Sequence, residues 1–199
     1  MKVSFSHSKD REMQRLLRLR DEYQWFIEND FPVVVPEFYD TLYHNAGSED
    51  VFKDRLVEAF NNVYRESKYV EKERKVRDIW QRVEQPFFDT LNSLRLDVLD
   101  EYFCYVSLYG PQGQFHCPDV VDVRVASDKD VEEANTTIAH EIIHLVISDK
   151  VSKLKLSYSQ VEGMVDLFFT ETELKDIFPI YEPQSIAEHD REAFYKFIS

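Results

Sequence analysis

The chain has 199 residues, of which 43% are hydrophobic, and this is enough to bury one sizeable core. Its formal net charge of −14 repels nucleic-acid backbones, so we expect no nucleic-acid partner. No segment approaches the ~18 apolar residues of a transmembrane helix, and the N-terminus lacks the apolar stretch of a secretory signal. We therefore expect a cytoplasmic protein that does not bind membranes. The basic cluster RLLRLR (15–20) predicts a solvated helix face.

The first part of the chain predicts helices. Apolar residues recur at helical spacing in 9–29, and the proline-bounded segment FPVVVP (31–36) interrupts them. A short helix at 37–45 and one long helix at 49–84 are expected to follow. We interpret residues 1–85 as an N-terminal helical part, which either completes the core or overlies a functional cleft.

Residues 86–199 have a different pattern and form the second part. The two parts are also compatible with one compact domain overall. Aromatic and β-branched residues predict a strand at 102–109, and alternation predicts another at 121–125, with a turn at 110–113 between them. Three helices are expected: one that ends at about Ser148, one at 158–170 and one at 185–198. The fold class is therefore α+β and mainly helical, with a small antiparallel or mixed sheet packed on two helices.

The sequence HEIIH (140–144) lies in the first of these helices. Residues four apart share a helix face, so the imidazoles of His140 and His144 can converge on one Zn²⁺ ion at about 2.0–2.1 Å. Glu141 points to the side of that face, where a carboxylate is well placed to accept a proton from water at the metal.

The next helix contains EGMVD (162–166). Glu162 can supply the third protein ligand, which leaves one position open, as in catalytic zinc sites. Asp166 lies on the same face and is expected to accept the outer N–H of a ligand histidine, most simply His140. Gly163 costs helix stability, and we attribute it to close approach of the histidine helix.

HEIIH followed by E-x-x-x-D resembles the gluzincin metallopeptidases, the clan of thermolysin and the minigluzincins. The resemblance covers roughly residues 100–170. It implies a zincin-like core, zinc ligands His140, His144 and Glu162, Glu141 as general base, and Asp166 as a residue that supports a ligand. It also implies that the strand around 120–126 is a sheet edge lining the cleft, to which an extended peptide adds. The metzincin pattern HExxHxxGxxH is absent.

These residues predict a zinc metallopeptidase that hydrolyses a peptide or protein substrate. A transition-state stabiliser facing the metal is not evident from the pattern, and the candidates are Tyr158, Tyr181, His189 and Tyr195. Two alternatives stay open. One is an inactive zinc-bearing domain that binds partners through its acidic surface, and the other is a regulator-like metallopeptidase that cuts a single protein.

Overall fold

A computed structural model describes all 199 residues. The expected α+β class is confirmed: the chain is 60% helical, with a small mixed sheet. The strands are β1 (Lys2–Ser6), β2 (Val33–Val34), β3 (Glu101–Ser107), β4 (Gly110–Pro111), β5 (Gly113–His116) and β6 (Val120–Arg124). The helices are α1 (Lys9–Glu28), α2 (Tyr39–Asn45), α3 (Glu49–Val63), α4 (Glu66–Trp80), α5 (Glu84–Ser93), α6 (Asp128–Leu154), α7 (Tyr158–Glu171), α8 (Leu174–Ile177) and α9 (Arg191–Ile198). None of them combines the length and apolar character needed to cross a membrane.

The main sheet has the strand order β1-β3-β6-β5. Strands β1, β3 and β6 are parallel, and β5 runs antiparallel to β6. The expectation that the strand around 120–126 forms the edge is therefore wrong, because β6 lies between β3 and β5. The turn expected at 110–113 instead contains β4 and the start of β5, and β5 takes the edge position beside α6.

The two faces of the sheet have different chemistry. Val121 and Val123 of β6 are buried in the main hydrophobic core with residues of α4, α5 and α6. The alternating residue Asp122 points to the opposite face, because successive side chains of a strand alternate. There it pairs with Arg11 of α1, at 2.6 Å between Asp122 Oδ1 and Arg11 Nε. Helix α1 thus covers the polar face of the sheet, and α6 packs on the apolar face.

The N-terminal part contributes to two cores. Phe52 and Phe60 of α3 pack in a smaller core with residues of α1 and α2. Val76 and Trp80 of α4, together with Val3 of β1, pack in the main core. The first strand and the fourth helix therefore complete the main core.

The expected single helix at 49–84 is wrong, because α3 ends at Val63 and α4 begins at Glu66, with Tyr64 and Arg65 extended between them. This break lets the chain leave the smaller core and enter the main one. Helix α5, which was not expected, carries Pro86 in its first turn, where proline is tolerated. The last helix is shorter than predicted and begins at Arg191.

Glu12 of α1 is a buried carboxyl group that joins this helix to the end of β3. Its Oε1 accepts the backbone N–H groups of Leu108 at 3.2 Å and Tyr109 at 3.0 Å. Burial raises the pKa of Glu12 from 4.5 to about 8, and the nearby Arg15 opposes this only in part. Glu12 therefore stays protonated to a higher pH in the folded protein than in the unfolded chain.

This raised pKa predicts a pH dependence of stability. A group whose folded pKa exceeds its unfolded pKa stabilises the protein fully below the unfolded value, and this contribution is lost as the pH rises through the folded value. The free energy of unfolding should fall between about pH 4.5 and 8, by up to about 1.4 kcal/mol per pH unit from this group. Glu12→Gln keeps the acceptor oxygen and removes the titration, so its stability relative to wild type should increase across this range. Urea denaturation at several pH values measures the effect, with the exposed Glu58→Gln as control. Parallel pH profiles for Glu12→Gln and wild type would contradict the prediction.

Candidate metal centre

Two capped helices carry the candidate ligands. Helix α6 starts after Ser127, whose side chain and Asp130 form a reciprocal capping box. Helix α7 starts after Ser157 with the same arrangement to Gln160. Caps of this kind satisfy the first free N–H groups and define where a helix begins. The angular positions of the side chains further along each helix follow from these starts.

His140, His144 and Glu162 converge, and their ligand atoms all lie within 4.8 Å of one another. The Nε2 atoms of the two histidines are 3.0 Å apart. Glu162 Oε2 lies 3.3 Å from His140 Nε2, and Glu162 Oε1 lies 3.4 Å from His144 Nε2. Donor atoms about 2.0–2.1 Å from one ion at tetrahedral angles are about 3.3–3.4 Å apart. The three side chains are therefore close enough to bind a metal ion, as their spacing predicted.

The electrostatics of Glu162 suit a metal ligand. Burial alone would raise the pKa of this carboxyl, but the contacts with His140 and His144 outweigh burial and lower it to about 2. All three ligand side chains are buried, with exposures of 5–7%. Buried polar groups need partners, and here the three groups have chiefly one another. A cation at their centre would satisfy all three at once.

Glu141 lies beside this cluster and against the edge strand. A Cβ atom on Gly113 of β5 would overlap Glu141 Oε1 and would come within 2.8 Å of Thr137 Cγ2. A side chain at this position would therefore displace the Glu141 carboxylate or Thr137 from its present position against β5. Burial raises the pKa of Glu141 to about 7. The neighbouring His140 lowers this pKa, and the neighbouring Glu162 raises it. Glu141 can thus accept or release a proton near neutral pH.

Asp166 supports the cluster indirectly, which differs from the expected direct bond to His140. Its Oδ1 accepts the hydroxyl hydrogen of Tyr181, and Tyr181 Oη lies 3.2 Å from His140 Nδ1. Its Oδ2 accepts the backbone N–H of Gln184 at 3.0 Å and contacts His189 Nε2 at 2.8 Å. Asp166 therefore reaches the ligand histidine through Tyr181.

This chain of contacts sets the tautomer of His140. A carboxylate only accepts hydrogen bonds, so Tyr181 donates its hydrogen to Asp166, and its oxygen is left to accept from His140 Nδ1–H. Burial and the bond to Asp166 raise the pKa of Tyr181, so the phenol keeps its hydrogen. Neutral His140 then has an unprotonated Nε2 facing the cluster, which is the form that binds a metal.

Gly163 has a different role from the one expected. A Cβ atom there would overlap the backbone oxygen of Glu188, so the close neighbour is the segment before α9 and not the histidine helix. The backbone N–H of Glu188 also donates to Ser159 O at 2.9 Å. This contact holds the segment that carries Tyr181 and His189 against α7.

The four candidates for a transition-state stabiliser differ in their hydrogen-bond partners. His189 and Tyr181 are bound to Asp166, and Tyr195 donates to Glu171 Oε2 at 2.8 Å. Tyr158 is 63% exposed and precedes Glu162 by one helical turn. Partial burial and the neighbouring Glu162 carboxylate raise its pKa to about 12. Tyr158 is therefore the one member of the set that neighbours Glu162 and is bound to neither Asp166 nor Glu171.

The arrangement joins three candidate ligands, a buried carboxylate and an adjacent sheet edge. No fourth histidine, cysteine, aspartate or glutamate belongs to the ligand cluster. A four-coordinate ion would keep one position for water or a substrate atom. Comparison of the chain with protein-family models, with curated proteins and with solved structures finds no match.

The contact between Tyr181 and His140 predicts a role in metal affinity. Tyr181→Phe removes the hydroxyl that accepts from His140 Nδ1–H and should weaken zinc binding by about 10–100-fold, since such supporting bonds orient the ligand and fix its tautomer. Competition with a fluorescent chelator measures the affinity. Tyr195→Phe is the matched control, because its hydroxyl bonds Glu171 far from the ligand histidines. Equal zinc affinity for Tyr181→Phe and wild type would show that the hydroxyl does not support the ligand.

Proposed function

We propose that this protein is a zinc-dependent peptidase of the gluzincin type, in which His140, His144 and Glu162 bind the ion and Glu141 is the general base. The observation that carries the proposal is the placement of Glu141. It is a buried carboxylate beside the ligand cluster, its pKa is raised to about 7, and it lies against the edge of a sheet. Two imidazoles and one carboxylate are a donor set that suits zinc.

The residues around the cluster have complementary tasks in this proposal. Zinc, when bound, supplies Lewis-acid chemistry by polarising a carbonyl group and acidifying water. Glu141 accepts a proton and transfers it to the leaving amine. Tyr158 can donate a hydrogen bond to the oxygen on which negative charge develops. Tyr181 and Asp166 keep His140 in the tautomer that binds the metal.

The sheet edge supports a peptide as the substrate class. Strand β5 pairs only with β6, so its outer edge has no strand partner. An extended peptide can add to such an edge through main-chain hydrogen bonds. Gly113 of β5 is in contact with Glu141, and Phe115 stacks on His144 with ring centroids 4.8 Å apart. A peptide added to β5 would therefore run beside both the base and a metal ligand.

Replacement of the base tests the proposal. Glu141→Gln keeps the shape of the side chain but cannot accept the proton, so cleavage of a defined pool of unfolded peptides should fall by about 10²–10⁴-fold. Zinc content, measured by elemental analysis, should stay at the wild-type level because Glu141 is not among the ligands. Mass spectrometry of the peptide pool gives the cleavage rate.

The control is Glu132→Gln, an exposed glutamate on the same helix. It should cleave at the wild-type rate. Equal cleavage by Glu141→Gln and wild type would refute the role of Glu141. Zinc-loaded wild type that cleaves neither the pool nor any protein would favour the inactive interaction domain. Cleavage of one protein without cleavage of the pool would favour the single-target peptidase.

A further inference from the structure

A second concave feature lies between α1 and the edge strand. It is a pocket of about 120 Å³ lined by Arg15, Arg18 and Glu22 of α1 and by Gln114 and His116 of β5. It is separate from the metal centre. Gly113 and Phe115, the alternate residues of the same strand, contact Glu141 and His144 on the side of α6. Because side chains alternate along a strand, Gln114 and His116 point to the opposite face.

The charges in this pocket leave one guanidinium available. Asp122 beneath the pocket is fully engaged, with Arg11 Nη2 at 3.0 Å, Arg11 Nε at 2.6 Å and His116 Nε2 at 2.8 Å. Arg18 Nη2 forms a long ion pair with Asp122 Oδ2, at 4.0 Å and without a hydrogen bond, and the Arg18 side chain is 53% exposed. Arg18 therefore has free donors at the mouth of the pocket.

Two further residues modify the charge. Arg15 is 2% exposed and lies at the base of the pocket, where its Nη2 donates to the backbone oxygen of Pro111 at 2.6 Å. Its positive charge adds to that of Arg18. Glu22 is the one acidic residue in the lining and lies a helical turn beyond Arg18. Positive charge prevails locally, whereas the whole chain carries −14. The cluster RLLRLR (15–20) is thus partly buried against the sheet and is not simply the solvated face expected from its sequence.

The free edge of β5 connects this pocket to the proposed chemistry. A peptide that adds to β5 would direct every second side chain toward α6 and the remaining ones toward α1. The side chains directed toward α1 would pass over Arg18, Gln114 and His116. We propose that this pocket is a subsite that binds an acidic side chain of the peptide substrate through Arg18. The proposal rests on the proposed function for its substrate class.

A pair of peptides tests the subsite without catalysis. Acetyl-Thr-Glu-Val-Glu-Thr-Glu-amide and its counterpart with glutamine at the three glutamate positions differ only in charge. Their affinities for the Glu141→Gln protein can be measured by isothermal titration calorimetry, without cleavage during the experiment. The glutamate peptide should bind up to about five-fold more tightly, as expected for a partly exposed charge pair. The net charge of the protein favours the opposite order, so this preference would identify a local cationic site.

Variants on the same background locate the effect. Arg18→Gln should abolish the preference for the glutamate peptide while it retains affinity for the glutamine peptide. Glu22→Gln should increase the preference, because it removes the opposing carboxylate. Arg55→Gln removes an exposed arginine of α3 that does not line the pocket, and it should behave as the parent protein. Equal affinities of the parent for both peptides, no measurable binding, or an unchanged preference in Arg18→Gln would overturn the proposal. These outcomes do not depend on hydrolysis, so they are distinguishable from failure of the peptidase proposal.

Discussion

The burial of two imidazoles and a carboxylate at one point between α6 and α7 is the constraint on which the rest of the site depends. Each group loses water on folding, and a buried polar group without a partner costs free energy. The two Nε2 atoms lie 3.0 Å apart and each lies 3.3–3.4 Å from one of the Glu162 oxygens, so the three groups interact with one another and can share one cation. The capped helix starts, the core behind both helices and the hydrogen bonds through Tyr181 all maintain this convergence.

Distant parts of the chain contribute residues to the surroundings of the cluster. Helix α1 covers the polar face of the sheet and carries Arg15, whose positive charge lowers the pKa of Glu141. The edge strand approaches Glu141 because residue 113 is glycine. The segment before α9 carries Tyr181 and is held on α7 by the close approach at Gly163. The first and last thirds of the chain therefore both determine the positions of Glu141 and of the three candidate ligands.

The sequence predicts the ligand cluster well and its surroundings poorly, for a physical reason. His140, His144 and Glu162 follow from helical periodicity, which is a local property that tertiary packing leaves intact. Tyr181 contacts His140 from 41 residues away in irregular structure, and no period identifies such a contact. A glycine within a helix indicates a close neighbour, but the neighbour of Gly163 is the backbone of Glu188, which spacing cannot reveal. The parallel pairing of β1 with β3 across about 100 residues is equally non-local.

The most direct test of the central claim is the zinc stoichiometry of the purified protein together with X-ray absorption at the zinc edge. After equilibration with zinc and dialysis, we predict about one ion per chain, held by two imidazole nitrogens and by oxygen at about 2.0–2.2 Å, without sulfur. The His140→Ala, His144→Ala double variant should retain none. Wild-type protein that retains no zinc, or a double variant that retains as much zinc as wild type, would contradict the assignment of His140, His144 and Glu162 as a metal centre.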